Sequence, residues 1–513
     1  MTRLGLSTLA LLSLTACTMT DLRGDADQAV ADDTGNSAEW DDTGSSAWDD
    51  SGPAGEDTGA DIDDTGFYDS DDPEEQECDA VTPVQLFMSP DDSNSMSSPV
   101  QVRAAILDSW DDLPNVPIRT YEFLNYYTFD YPAADPGRLA VFAHMVPHET
   151  EPDQWKLQIA ASSPPLTREE RQPMNLILCL DTSGSMAGTS IALLKESVRV
   201  IAGQLKEGDV VSAVRWDTSD AVILDSHAVS GPDDPVLIEL SEELSASGGT
   251  NLAGGLEAAY ALAERNFGED RVNRVVLISD GGANVGNTSE ELIGRMAGTE
   301  NQRGVYMVGV GTGSAATYND RLMDRVTDLG RGASVFIDSA AEAQKILGDR
   351  FISTMDVAAR DLRIEVGLPP GFEIVRSSAE EWSTNPREVD PQNIAPDDTV
   401  VLYQTVTTCE PALAGPDAQL TVTLRYEDAV TFEPRVETHT ATFAELAESY
   451  RTQMIKAELL VAFADGLTAY QQGERAEAQA LRQEALRLLD ALRLVDPNDP
   501  DLAELEAVLA VGP

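Results

Sequence analysis

The sequence predicts a Rossmann-like, doubly wound α/β domain inserted in or flanked by a β-sandwich, with a C-terminal α-helical hairpin and a disordered N-terminal tether. Three observations predict it. Over about 172–355, short apolar runs alternate with amphipathic helical stretches. Over 356–443 the segments alternate apolar and polar residues, with turn residues between them and no helical spacing. Before residue 80 the chain is acidic, repetitive and poor in apolar side chains. At 513 residues there is room for several domains.

The chain starts "MTRLGLSTLALLSLTAC", with Arg3 ahead of an apolar run, Leu4 to Leu14, too short to span a bilayer. Its close, "LTAC" at 14–17, resembles the bacterial lipobox. That resemblance implies cleavage before Cys17 and diacylglycerol on its thiol, and several acyl chains make such an anchor stable. Thr18, where an Asp would favour inner-membrane retention, favours the outer membrane. The expectation is a signal peptide over 1–17 and an outer-membrane lipoprotein that meets the membrane through its lipid alone. An ordinary signal peptide that happens to contain a Cys is the competing reading.

Residues 18–79 hold 22 acids and one Arg, and "DDTG" recurs at 32–35, 41–44 and 63–66. Dense like charge and few apolar groups favour an extended, disordered linker. The Asp-Thr-Gly units lack the apolar strands that would hold two carboxylates face to face in an aspartic protease. No repeat reproduces the spacing of a calcium-binding loop. The net charge of −56 argues against a nucleic-acid partner and is consistent with attraction of divalent cations.

Residues 80–171 form an N-terminal flanking segment of helix and strands, including "IRTYEFLNYYTFDYP" at 118–132, which holds six aromatic residues. Its two alternating runs, "GRLAVFAHMVPHE" and "QWKLQIAASSP", are expected to join the later sheet. In 172–355, "MNLILCLD", "DVVSAVRW", "RVVLISD", "GVYMVGVG" and "ASVFID" read as buried strands of a mainly parallel sheet, helices covering both faces. Residues 356–443 read as the β-sandwich. Residues 444–513 read as a helical hairpin, with stripes Ile455-Leu459-Phe463-Leu467 and Leu481-Ala485-Leu488-Leu492, expected to pack on the sandwich. "QQGER" turns the chain and "DPNDP" stops the second helix. Cys179, mid-strand, reads as an inert buried thiol. An exported chain permits a disulfide between Cys78 and Cys409, but the sequence does not supply its geometry.

The chemistry converges on "NLILCLDTSGSMAG" (175–188), where Asp181, Ser183 and Ser185 follow an apolar strand. Ligands of open α/β sheets bind at the carboxyl ends of strands, near a topological switch point. Asp181-x-Ser183-x-Ser185 resembles the D-x-S-x-S motif of von Willebrand factor type A (VWA) domains. In that family a Thr and an Asp from later loops complete a metal-ion-dependent adhesion site (MIDAS). "SGGTNLAGGL" supplies Thr250 and "LISDGGANVG" supplies Asp280. The resemblance implies that Ser183 and Ser185 bind a divalent cation directly and that Thr250 binds it directly or through water. Asp181 and Asp280 then hold its waters. Mg²⁺ is the first expectation, with Mn²⁺ and Ca²⁺ as alternatives. A partner protein's Asp or Glu carboxylate would complete the shell. Together with the aromatic segment and "YNDRLMDRVTDLGRGASVFIDS" (318–339), these motifs resemble bacterial surface lipoproteins with a VWA domain between family-specific flanks, over roughly 88–440.

Catalytic readings lack partners. The four histidines, His144, His148, His227 and His439, lie far in sequence from the serines, and no G-x-S-x-G elbow is present. An aspartyl-nucleophile phosphatase would want a second Asp at position 183, which is Ser. No H-E-x-x-H, clustered Cys or P-loop occurs. The expectation is therefore a non-enzymatic, metal-dependent protein-binding or adhesion module on the bacterial envelope. The alternative is a structural or assembly scaffold whose metal only stabilises the VWA domain.

Overall fold

A computed structural model describes residues 78–89, 95–108, 110–282, 287–297 and 304–511. The expected signal peptide with Cys17 and the acidic stretch through residue 77 lie outside the described residues. Among the described residues no helix is long and apolar enough to cross a membrane.

The N-terminal flank contributes strand Val84–Ser89 (β1), helices Ser97–Asp108 (α1) and Thr120–Tyr126 (α2), and the antiparallel pair Ala140–Pro147 (β2) and Gln154–Ser162 (β3). The central region then runs Met174–Asp181 (β4), Thr189–Gln204 (α3), Val210–Trp216 (β5), Asp220–Ala228 (β6), Pro235–Glu243 (α4) and Leu252–Arg265 (α5). Val272–Ser279 (β7), Asn287–Ala297 (α6), Tyr306–Thr312 (β8), Asp320–Leu329 (α7) and Ser334–Ile337 (β9) complete it. Its sheet has the order β6-β5-β4-β7-β8-β9. All pairs are parallel except β5–β6. Every residue of β4 and β7 is buried, because helices cover both faces of the sheet and leave no side of a strand for polar residues. The order reverses at β4, whose neighbours are β5 and β7, so the carboxyl ends of β4 and β7 flank the switch point.

Strand β6 is not among the runs expected from the sequence. It is an edge strand with no fully buried residue, returned from β5 by a turn in which the Asp217 amide donates to the Ser219 carbonyl at 2.9 Å. An edge strand needs only half-burial, so it shows no continuous apolar run.

Beyond β9, Ala340–Ala343 (α8), a π-helical turn at Gln344–Asp349 and Phe351–Met355 (α9) lead out of the sheet. The strands that follow are Ala359–Leu368 (β10), Phe372–Ser377 (β11), Glu381–Ser383 (β12), Gln392–Ile394 (β13), Thr399–Thr408 (β14), Gln419–Asp428 (β15) and Pro434–Thr442 (β16). They form two sheets, β12-β1-β10-β15-β16 and β11-β14-β3-β2, with β13 paired to β10. Strands from before the central sheet thus pair with strands from after it. Leu157, Ile159, Ile364, Leu402 and Leu424 fill a core of their own, which the alternating burial of β10 and β15 faces. Cys78 is disulfide-bonded to Cys409, with Cα atoms 5.8 Å apart.

The C-terminal segment begins with Phe443–Glu448 (α10), started by a capping box between Thr442 and Glu445. Arg451–Gln472 (α11) and Arg475–Val495 (α12) form the hairpin, turned at Gly473 with φ 87°. A third helix, Leu502–Val511 (α13), follows. The hairpin does not rest on the sandwich alone. Phe463 meets Phe123 of α2 edge-on at 5.8 Å, so the aromatic flank lies against α11. "DPNDP" does more than stop α12. The buried Lys456 ammonium donates to Asp499 and Asp501 at 2.7 Å each and to the Thr128 carbonyl at 2.6 Å.

Two expectations test this packing. Lys456→Met leaves two buried carboxylates without their base, so unfolding by urea should show a loss of about 3–5 kcal/mol. The control is Arg493→Met, at an exposed pair with Asp490, which should change stability by less than about 1 kcal/mol. Burial of His144 in β2, with Arg451 adding repulsion, pushes its imidazole down to about 4. The native state therefore refuses a proton that the unfolded chain takes near pH 6.5. The stability conferred by neutral His144 is present above about pH 6.5 and lost as pH falls toward about 4. Melting temperatures over that range should fall less steeply in His144→Gln than in the parent chain.

Candidate functional site

The chain leaves β4 at Asp181, which is fully buried. One carboxylate oxygen accepts the Ser183 amide at 2.9 Å and the other accepts the Ser279 hydroxyl at 2.6 Å. Burial raises the Asp181 carboxyl to about 6 against these hydrogen bonds, and the neighbouring Asp280 adds to the rise. The loop then makes a single 3₁₀ turn, Gly184–Met186, before α3. Its first residue lies close to the neighbouring loop: a Cβ at Gly184 would lie 3.0 Å from the Gly248 carbonyl.

Three oxygens converge above Asp181. Ser183 Oγ lies 3.0 Å from Ser185 Oγ, and Ser185 Oγ donates to Asp280 Oδ1 at 3.2 Å. Ser183 and Asp280 are buried at 1% and 4% exposure, while Ser185 is exposed. Among the described residues the cluster meets solvent at Ser185. Asp280 follows β7, where its Oδ1 also accepts the Gly282 amide at 3.0 Å. A Cβ at Gly282 would lie 2.9 Å from both Ser185 Oγ and Asp280 Oδ1.

Thr250 stands apart from this cluster. It is exposed, and the hydrogen bonds that join the other four residues do not include it. Its loop is nonetheless fastened to theirs: the Gly184 amide donates to the Gly248 carbonyl at 3.2 Å and the Ser247 amide to the Thr182 carbonyl at 2.8 Å. Asn251 then caps α5, its side chain accepting from the Gly254 amide. Four of the five expected residues are brought together, and the fifth is held on an adjoining loop. A cavity of 350 Å³ adjoins the same loops, lined by Thr182, Arg215, Leu240, Leu244 and Ser245 among others.

Several supporting residues are not singled out by the sequence alone. Ser279 donates to Asp181 and accepts the Gly281 amide at 2.9 Å, locking the two loops together. Thr218 accepts the Gly249 amide at 2.7 Å, and the Asn319 amide donates to the Asp280 carbonyl at 3.3 Å. Only Ser279 offers a visible clue, being a hydroxyl in the otherwise apolar run "RVVLIS".

The donor set suits a small, hard cation. Adjacent ligands of an octahedral Mg²⁺ at about 2.0–2.1 Å sit about 2.9 Å apart, and the two serine oxygens are already 3.0 Å apart. Among the described residues no group of three or more His, Cys, Asp or Glu side chains is gathered as a metal site. The cluster offers hydroxyls and two acids, a set suited to hard ions and not to zinc.

Residues 176–283 match the von Willebrand factor type A domain model. The chain is 28% identical over 264 residues to YfbK of Escherichia coli (strain K12), covering 50% of this chain and 45% of that protein. It is 24% identical over 217 residues to sll0103 of Synechocystis, covering 42% of this chain and 50% of that one. The chain thus spans about half the length of these relatives. A solved von Willebrand factor type A structure from Catenulispora acidiphila aligns at 16% identity and TM-score 0.46, over 74% of this chain and 91% of that one. The doubly wound sheet, the motif loops at its switch point and the matching domain model lead to one identification: this chain carries a von Willebrand factor type A domain.

Proposed function

We propose that the chain is a metal-dependent protein-binding module displayed on the bacterial cell envelope. The observation that carries this reading is the convergence of Ser183 Oγ, Ser185 Oγ and Asp280 Oδ1, in steps of 3.0 and 3.2 Å, above the buried Asp181. Ser183 and Ser185 would hold the ion directly, and Thr250 directly or through water. Asp181 and Asp280 would orient its waters. Mg²⁺ is the ion of first choice, with Mn²⁺ and Ca²⁺ as alternatives.

Neutral direct ligands leave the cation's charge largely uncompensated, so a partner's Asp or Glu carboxylate is the natural remaining ligand. The role proposed is binding without catalysis. The serine hydroxyls face each other and Asp280, and His227 is engaged with Asp234 at 3.0 Å. Lipidation at Cys17 and a long acidic linker would present the domain away from the outer membrane, the membrane being touched by the anchor only.

Envelope extracts passed over the immobilised full chain should yield a partner with Mg²⁺ present and lose it with EDTA or in Ser183→Ala. Partner capture indifferent to both, alongside a Mg²⁺-dependent melting temperature, would replace this reading with that of a scaffold stabilised by its metal. Calorimetric titration with Mg²⁺ makes a second test. Ser279→Ala removes the hydrogen bond that orients Asp181 and should weaken the metal about 10–100-fold, with the circular dichroism spectrum retained.

A further inference from the structure

The far edge of the central sheet, at the amino ends of β4 and β7, carries the opposite charge character. A cavity of 140 Å³ there is lined by Arg171, Arg271, Arg274 and Arg360, with Asp356 and Glu170 as its acids. Asp209 neutralises Arg171, which leaves three guanidiniums against Asp356 and Glu170, a local excess of positive charge in a chain with 34 basic and 90 acidic residues.

Each guanidinium is held in place. Arg171 is 2% exposed and forks onto Asp209 at 2.8 and 2.5 Å. Its buried Nε has no partner among the described residues. Arg271 donates to the main-chain carbonyls of Gly208 at 2.9 Å and Met174 at 3.3 Å, and no carboxylate among the described residues forms an ion pair with it. Arg274 and Arg360 lie over the Tyr306 ring at 4.8 and 5.1 Å from its centre, which fixes their planes. Burial raises the Asp356 carboxyl while Arg274, Arg171 and Arg360 draw it down; of these three cations Arg171 is already matched by Asp209.

We infer that this cavity binds a compact inorganic oxyanion of the phosphate or sulfate class. Guanidinium forks match the paired oxygens of such ions and bond them strongly. The volume is that of about four or five waters, room for a tetrahedral oxyanion. The lining comes from the segment entering the central sheet (166–172), the start of β7 (271–274) with Gly304, the segment leaving the sheet (356–360) and the β15–β16 turn at Ala429 and Val430. A bound ion therefore ties the α/β region to the sandwich. It also occupies a site separate from the Ser183–Asp280 cluster, at the other end of the strands.

Isothermal titration of the full chain with inorganic phosphate, in chloride buffer of constant ionic strength, should show saturable one-to-one binding. Phosphate should also raise the melting temperature where added chloride does not. The double variant Arg271→Gln, Arg360→Gln should bind phosphate about tenfold or more weakly, as expected for losing hydrogen bonds to a charged group, while its Mg²⁺ titration is unchanged. Should that variant fold poorly, Arg271→Lys keeps the charge without the fork and should still weaken phosphate several-fold. Absence of saturable binding, or unchanged affinity in the folded variants, would overturn the proposal. So would flotation on phosphatidylglycerol vesicles lost in the same variants, which would assign the arginines to a lipid headgroup.

Discussion

Asp181 is a carboxylate placed where water does not reach, and the loops at the top of the sheet are arranged to satisfy it. One oxygen takes the amide two residues ahead, which bends the chain back over the end of β4. The other takes Ser279, at the end of the neighbouring strand. An unsatisfied buried acid costs several kcal/mol, so both bonds are strongly enforced and the β4 and β7 loops cannot drift apart. Ser183, Ser185 and Asp280 inherit their spacing from that tie. A parallel, fully buried sheet makes the tie rigid, because β4 and β7 are packed on both faces.

The flanks extend this order outward. Asn319 touches the Asp280 carbonyl, and the next residue, Asp320, receives Arg119 Nη1 and Nη2 at 2.6 and 2.9 Å and Gln101 Nε2 at 2.6 Å. Arg119 belongs to the aromatic flank and Gln101 to α1. The N-terminal segment therefore reaches the wall of the candidate site through a polar chain in which Gln101 and Asp320 are buried. The geometry of that chain depends on every member being paired, since a half-satisfied buried network is worse than an apolar one.

Much of this was legible in the sequence, for identifiable reasons. Apolar runs as continuous as "LILCL" and "VVLIS" declare a strand buried on both faces, and the hydroxyls and acid that follow the first mark a loop at the switch point. The alternation in "LRIEV" and "LTVTLRY" announces a sandwich face in the same way. Strand β6 and the helix α13 were not legible. The first is half-exposed, and the second is short and follows a loop whose acids reach back to Lys456 in α11. Ser279 and Thr218 act through tertiary contacts between loops, and no spacing rule connects them to Asp181 or Gly249. Thr250 shows the converse: its place in the motif order was readable, yet the four-residue cluster forms without it.

Charge explains why the interfaces look as they do. In a chain with so few cations, a single buried base serves several acids. Arg103 meets Asp338 at 2.8 Å, Glu342 at 2.9 Å and Glu504 at 3.0 Å, joining the segment after β9 to α13. Lys456 serves Asp499 and Asp501 in the same manner. Carboxylates crowded together repel strongly where water is excluded, and each such base removes that repulsion at a contact between segments. Asp181 and Asp280 depart from the pattern. Their neighbours are hydroxyls and amides, and no lysine or arginine among the described residues pairs with either. At this pair of buried acids the sequence supplies polar oxygens where it elsewhere supplies a base, an arrangement that the proposed cation would complete. That is the physical case for a cation at the proposed site.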